Sequence, residues 1–188
     1  MAKKIDRRVR YTKMVLRESL SKLLKENPIE KITVKQICED ADINRGTFYS
    51  HYSDQFDLYD HIVEELIEGG FECLGNFMVQ TDEELNQRLI SVFEYIKDNG
   101  ELIKTLISKG VEYRVEKQIR DIVKNIYLSK NTSDIDIDYI NCAYSFIAAG
   151  AISLVRQWLN SDTSKSPEEM AVFSRKLVSK GFSSLFNN

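Results

Sequence analysis

Residues 32–58 read ITVKQICEDADINRGTFYSHYSDQFDL, and the spacing within this stretch decides the fold of the chain's first third. Thr33 and Gln36 stand three apart at the head of an apolar run. At that spacing a hydroxyl and an amide side chain satisfy each other's orphan backbone donors at a helix start. The pattern predicts a short helix from Val34 to about Asp40, with Val34, Ile37 and Ala41 facing inward. Ala41-Asp42-Ile43 then turns the chain, because Asp tolerates the left-handed conformation better than most residues that carry a side chain. Asn44 is a good N-cap for a second short helix, from Arg45 to about His51. Two short helices joined by a tight turn make a helix-turn-helix, here over residues 33–52. In such a unit the first helix braces the second, whose opening turn can then enter the major groove of DNA.

The flanks are helical too. Val9, Leu16, Leu20, Leu23 and Leu24 recur near a 3.6-residue period, which predicts a helix over 6–26 ended by Asn27-Pro28. Asp54 is expected to cap a longer helix with the stripe Tyr59, Ile62, Val63, Leu66 and Ile67. Gly69-Gly70 reads either as the end of that helix or as a weak point in it. Further helices are expected at about 82–99, 101–109, 111–129, 136–160 and 167–186. The last opens on Ser166-Pro167-Glu168-Glu169, with Pro at the first helical position. No stretch alternates with the period-two pattern of a strand, and no repeat of 20–50 residues is present. The expected fold is all-α with about nine helices. A helix-turn-helix unit is expected ahead of a helical bundle.

Composition narrows the class. With 43% hydrophobic residues and only 8 Gly and 2 Pro in 188, the chain can bury a core but not make a turn-dense barrel of short strands. Residues 1–52 hold 12 Lys+Arg against 7 Asp+Glu; the remainder holds 14 against 22, so a basic end sits on an acidic body. That asymmetry suits a protein that meets a polyanion at one end only. Lys3, Lys4, Arg7, Arg8 and Arg10 read either as phosphate or minor-groove contacts or as a solvated tail. The longest charge-free stretch, Tyr139 to Val155, is 17 residues broken by Asn141, Ser145, Gly150 and Ser153. A membrane span needs ~20 predominantly apolar residues, so this is expected to be a buried helix. Cys38, Cys73 and Cys142 form no CxxC pair, and the amino terminus shows no apolar secretory core. A soluble, cytoplasmic protein is expected.

The run Ile32-Thr33-Val34, Ile37-Cys38, Ala41-Asp42-Ile43, Arg45-Gly46-Thr47-Phe48-Tyr49, His51-Tyr52 and Leu58 closely resembles the DNA-binding domain of TetR-family transcriptional regulators. The resemblance covers residues 8–68 and implies a helix-turn-helix DNA-binding domain there, followed by an effector-binding and dimerisation domain at 69–188. The stretches Phe146–Gly150, Arg156–Leu159 and Ser166–Glu169 resemble the branch that includes regulators of dihydroxyacetone kinase operons. What the resemblance implies is a homodimer on a palindromic operator, a repressor released by a small-molecule effector. It places Thr33 at phosphate, Arg45 and Thr47 at base edges, and Tyr49 and His51 at phosphate, with Gly46 allowing close approach and Lys35 beside them. Two positions depart from the family pattern: Asp42 stands where Gly is common, and Gln55 where Lys is usual. The second departure removes a phosphate anchor. A TetR-like helical adaptor or co-activator working through a protein partner is the alternative reading.

Phe48 and Tyr52 are expected to be core rather than contacts. No catalytic constellation is present: His51 and His61 are ten residues apart, too far for a helical zinc pair, and there is no Gly-rich phosphate loop, GxSxG or HExxH. A non-enzyme without metal or cofactor is expected. Cys73 reads as packing or as a redox sensor. In helix 136–160, Ile140, Tyr144, Ile147, Ala151, Leu154 and Trp158 form one seam, and Cys142, Ala149, Gly150 and Ser153 a second, small side. A helix apolar nearly all round has to be covered nearly all round. With Met170, Phe173, Leu177, Val178, Phe182 and Leu185 of the last helix, it is expected to form a four-helix interface between two copies. Tyr95, Tyr113, Tyr127 and Tyr144 read either as the lining of an effector pocket or as core, and Phe93 with them.

Overall fold

The computed structural model describes residues 2–75, 81–111, 113–118, 137–161 and 165–186. The fold is all-α, with no strand among the described residues. Two compact units divide the chain, Met1–Leu66 and Ile67–Asn188.

The first unit holds α1 (Ala2–Glu26), a 3-10 turn (Ile29–Lys31), α2 (Val34–Asp40), α3 (Arg45–Tyr49) and the opening turns of α4 (Gln55–Leu74). Leu16, Leu20 and Leu24, one turn apart on α1, are fully buried together with Ile37, Phe48 and Leu58. Two contacts tie α1 to α2: buried Ser19 Oγ donates to the Ile37 carbonyl at 3.1 Å, and Lys22 Nζ pairs with Asp40 Oδ1. α1 begins at Ala2, ahead of the apolar pattern, because Lys and Arg are good helix formers that leave no periodic signal. Arg7, Arg8 and Arg10 are thus exposed helical residues, not a tail. On α4 the buried stripe is Leu58, Ile62, Val63 and Leu66, with Leu58 rather than Tyr59 at its head.

The second unit takes the last turns of α4, then α5 (Asp82–Asp98), α6 (Gly100–Ile107), a helical stretch at 113–118, α7 (Ile137–Asn160) and α8 (Pro167–Phe186). α5 packs along α8, and α6 against α7. Phe93, Trp158, Met170 and Ala171 are buried at its centre, with Leu89, Ile90, Leu154, Val155 and Leu159 around them. The Phe93 and Trp158 rings meet edge to face at 5.3 Å, and the indole N–H donates to the Lys165 carbonyl at 3.0 Å. Phe93 is therefore core. α8 opens on a reciprocal cap: Glu169 N donates to Ser166 Oγ at 3.2 Å, and Ser166 N to the Glu169 carboxylate at 2.9 Å.

Gly69-Gly70 neither ends nor breaks α4, which runs on to Leu74. A glycine inside a helix costs about 1 kcal/mol against alanine, a cost that packing can offset. Position 69 shows what offsets it: the Tyr95 ring occupies the space a side chain would need. Tyr127, and the side chains of Lys3, Lys4, Ile140, Tyr144, Phe182 and Leu185, lie outside the described residues. Among the described residues, no helix is long and apolar enough to cross a membrane.

Candidate nucleic-acid interface

α2 and α3 are each set by their caps. Gln36 N donates to Thr33 Oγ1 at 3.3 Å and Thr33 N to Gln36 Oε1 at 2.9 Å, the reciprocal box its spacing predicts. The Thr33 hydroxyl also donates to Gln36 Oε1, at 2.8 Å, so its proton is spent inside the cap. α2 ends with Asp42 at φ +52 and Ile43 N donating back to the Cys38 carbonyl at 2.9 Å. That is a six-residue closure with an aspartate in the left-handed position usually given to glycine. Asn44 Oδ1 then accepts from Gly46 N at 2.7 Å and opens α3. A Cβ at position 46 would sit 3.2 Å from that same oxygen and press on the cap.

One residue anchors α3. Phe48 is fully buried, with the Tyr52 ring 5.8 Å away and the Tyr49 ring edge-on at 5.6 Å. With Phe48 turned inward, Arg45, Gly46 and Tyr49 share the outer side, and Tyr49 is 57% exposed. Thr47 and His51 are half-buried; the His51 amide donates to the Phe48 carbonyl at 2.9 Å. Lys35 and Thr33 are exposed at the start of α2, with Lys35 Nζ 3.7 Å from Glu39 Oε1. Along the turn lies an open cleft of about 440 Å³, lined by Lys35, Cys38, Glu39, Asp42, Ile43, Asn44 and Arg45. Burial pushes the Cys38 thiol up and the nearby Arg45 charge pulls it down, with burial the larger effect, so Cys38 is packing rather than a reactive thiolate.

The joint into α4 is equally well tied. Asp54 Oδ1 accepts from Phe56 N at 2.8 Å and Asp57 N at 2.9 Å, while Asp57 Oδ2 accepts from Ser53 N at 2.8 Å. The Ser53 amide holds the Asp57 carboxyl below its ordinary range, helped by the Ser53 hydroxyl and His61. His61 Nδ1 lies 3.1 Å from Asp57 Oδ1, and its ring meets Tyr52 edge-on at 5.4 Å. Among the described residues no group of His, Cys, Asp and Glu could hold a metal ion. Of the aromatic residues singled out for an effector, Tyr95 packs on Gly69 and Tyr113 is 68% exposed.

The sequence reading left Cys38 out of the inward face of α2, where it is buried, and missed the Lys22–Asp40 pair. The first was readable, since Val34, Ile37, Cys38 and Ala41 fall at i, i+3, i+4 and i+7. The second joins two helices and has no local signal.

The family description "Transcriptional regulator C-terminal region" (TetR_C_8) matches residues 83–180, more than half of the chain. The chain belongs to the TetR family of transcriptional regulators. The regulator is 27% identical over 173 residues to the uncharacterized HTH-type transcriptional regulator YxbF of Bacillus subtilis (strain 168). That match takes in 88% of this chain but 44% of YxbF, so this TetR-family chain spans less than half the length of that relative. Among solved structures, the regulator is similar to a TetR transcriptional regulator from Streptococcus agalactiae 2603V, at 23% identity and a TM-score of 0.66. The similarity covers 95% of this chain and 99% of the other. It is also similar to the dihydroxyacetone kinase operon activator DhaS, at 18% identity and a TM-score of 0.60, over 90% of this chain and 95% of that one. At these identities the likeness is one of fold.

Proposed function

We propose that this TetR-family regulator binds a palindromic DNA operator as a homodimer, each copy laying α3 in the major groove, and acts as a repressor released by a small-molecule effector. The observation that carries the reading is the division of α3, with Phe48 fully buried and Arg45, Gly46 and Tyr49 outside. A short helix pinned by one buried ring and opened by a side-chain cap offers a rigid edge to a groove. Arg45 and Thr47 read base edges; Thr33, Lys35, Tyr49 and His51 hold phosphate; Gly46 lets the backbone come close. The surplus of basic charge in residues 1–52 supplies the sequence-independent part of the affinity.

Two apolar faces support the homodimer. On α7, Tyr139 and Phe146 are 76% and 81% exposed, and Cys142, Ala149, Gly150 and Ser153 lie exposed along the same side. On α8, Phe173, Leu177 and Val178 are exposed. Apolar faces of this kind mark interaction sites, and a second copy of the same two helices is self-complementary about a two-fold axis. The effector belongs to the second unit, with Tyr95, Tyr113, Tyr127 and Tyr144 as the candidates to line its site.

A second reading, the helical adaptor acting through a protein partner, draws on three reduced phosphate anchors. The Thr33 hydroxyl proton is held by Gln36, Lys35 faces Glu39, and position 55 is Gln. One experiment separates the two. Wild type, Arg45→Ala and Tyr49→Ala are tested for binding to genomic DNA fragments across a salt series. Tight binding to a palindrome, falling steeply with salt and weakened by about 1–3 kcal/mol in Arg45→Ala, is the expected result. Weak binding indifferent to sequence and to both substitutions would establish the adaptor instead.

A further inference from the structure

Among the described residues, two buried side-chain polar atoms have no hydrogen-bond partner, Asn86 Oδ1 and Arg175 Nε. They stand on α5 and α8, the two helices that pack along each other. Arg175 Nη1 donates to Asp82 Oδ2 at 3.0 Å, and Asp82 opens α5 one turn ahead of Asn86. The guanidinium thus reaches the start of α5 with its inner edge buried and its outer edge at an acid that is 90% exposed. Phe93, further along α5, shares a core with Met170 and Ala171 near the start of α8, so the two helices run antiparallel.

Arginine is a costly choice at this place. An ion pair with so exposed a partner adds little to stability, and a buried donor and acceptor left unmatched each subtract from it. An apolar side chain of similar volume is often the more stable alternative. What an arginine adds is a restriction. Apolar contact is non-directional, and α8 carries Met170, Phe173, Leu177 and Val178 in succession, so more than one alignment would bury apolar surface. Met170, Ala171, Ser174 and Arg175 follow one stripe of α8. A slide of α8 by one turn along this stripe would carry Arg175 into the place of Ala171, which is fully buried in the core with Phe93. There the charge would have neither water nor acid, a far heavier penalty than the unmatched atoms of the observed alignment. A slide the other way draws it off Asp82. Asn86, on the same face of α5 as Asp82, keeps the inner side of the observed place polar.

We propose that Arg175 is a positioning residue for self-association: it admits one register of α8 against α5, the register that leaves Phe173, Leu177 and Val178 exposed. The proposal rests on the homodimer reading above, since self-association is its functional readout. All the residues it uses lie within the second unit.

The test compares the full chain as wild type, Arg175→Met and Arg175→Lys. Methionine keeps much of the volume and drops the charge, whereas lysine keeps the charge and drops the fork. Backbone NMR signals of residues 167–175 report the register, recorded where all three proteins have the same mass, with residues 16–24 of α1 as the internal reference. Analytical ultracentrifugation across a concentration series reports self-association. Arg175→Met should double or broaden the signals at 167–175 but not at 16–24, and weaken self-association by roughly 2- to 30-fold. Arg175→Lys should show one set of signals and the self-association of the wild type. One sharp set in Arg175→Met would overturn the register lock. Doubled signals with unchanged self-association would overturn the positioning role. Lost helix content in Arg175→Met, or a lysine variant as impaired as the methionine one, would make Arg175 an ordinary structural contact and overturn the proposal too. A wild type that stays at 21.8 kDa at every concentration would overturn the homodimer reading and the functional half of this proposal. The signals at 167–175 tell that failure from a failure of the lock.

Discussion

The first unit buries Leu16, Leu20, Leu24, Ile37, Phe48 and Leu58 completely within a few dozen residues, drawing on α1, α2, α3 and α4. In the second unit the core around Phe93 and Trp158 is flanked by half-buried leucines and isoleucines, and Tyr139, Phe146, Phe173, Leu177 and Val178 remain exposed. The first unit has exposed apolar residues too, but Tyr11, Met14, Tyr49 and Phe56 are spread over three helices. Apart from Tyr113, those of the second unit gather on α7 and α8. Among the described residues, the contrast is between a unit whose core is fully closed and one whose core leaves apolar side chains exposed beside it. Burial of apolar area is non-directional, so the same residue types serve both ends. On the proposed DNA-binding reading, the first unit needs the rigid support that its closed core gives α3.

The largest blow to this comparison comes from Phe48→Ala. Emptying the centre of the first unit should cost about 3–5 kcal/mol. Thermal unfolding followed by circular dichroism, with DNA binding lost in parallel, checks it; an unchanged melt would mean that the first core does not hinge on this ring. Next comes Phe146→Glu. On a face covered by a second copy, one charge per chain should turn a dimer into the 21.8 kDa monomer in analytical ultracentrifugation, with helix content preserved. Equal masses for variant and wild type would break the contrast from the other side.

Asp42→Gly is expected to act in the favourable direction. The left-handed conformation costs a residue with a side chain about 1–2 kcal/mol, and glycine returns part of that as chain entropy. A gain of about 0.5–1 kcal/mol in urea unfolding is expected, and a loss would mean that the Asp42 side chain holds the turn. The smallest effect is that of acid. The Lys22 ammonium holds the Asp40 carboxyl below its ordinary value of 3.8, and the Ser53 amide does the same for Asp57. A depressed folded pKa adds stability that is fully present above the unfolded value and lost as pH falls through the folded one. Melting temperature should therefore fall as pH drops below 3.8, and less steeply in Asp40→Asn, whose side chain has no carboxyl to protonate. Identical acid limbs for variant and wild type would remove the Lys22–Asp40 pair from the account.

Much of the first unit was legible in residue order. Thr33 with Gln36, Asn44, and Asp54 each announced a helix start, and Phe48 announced itself as core between polar neighbours. Asp42 marked the left-handed turn. The ends of helices were harder: α1 starts earlier than its apolar pattern, and α4 ignores two successive glycines. In both places propensity lost to context. Which of Arg45, Thr47, Tyr49 and His51 stand clear of the surface was not legible at all, because α3 is short enough that one buried ring sets the orientation of the rest.

What the sequence determined by itself is therefore local. The helix-turn-helix, its caps and its inward ring follow from residues within four positions of one another, where backbone geometry alone decides who meets whom. Tertiary structure alone decided the pairs that cross between helices: Lys22 with Asp40, Arg88 with the Leu74 carbonyl, and Tyr95 against Gly69. It also decided that Trp158 is buried while Phe146, on the same helix, is exposed. Neither choice is written in side-chain chemistry, because both residues are aromatic and both prefer burial. Which one a single chain can cover depends on the helices that pack beside it.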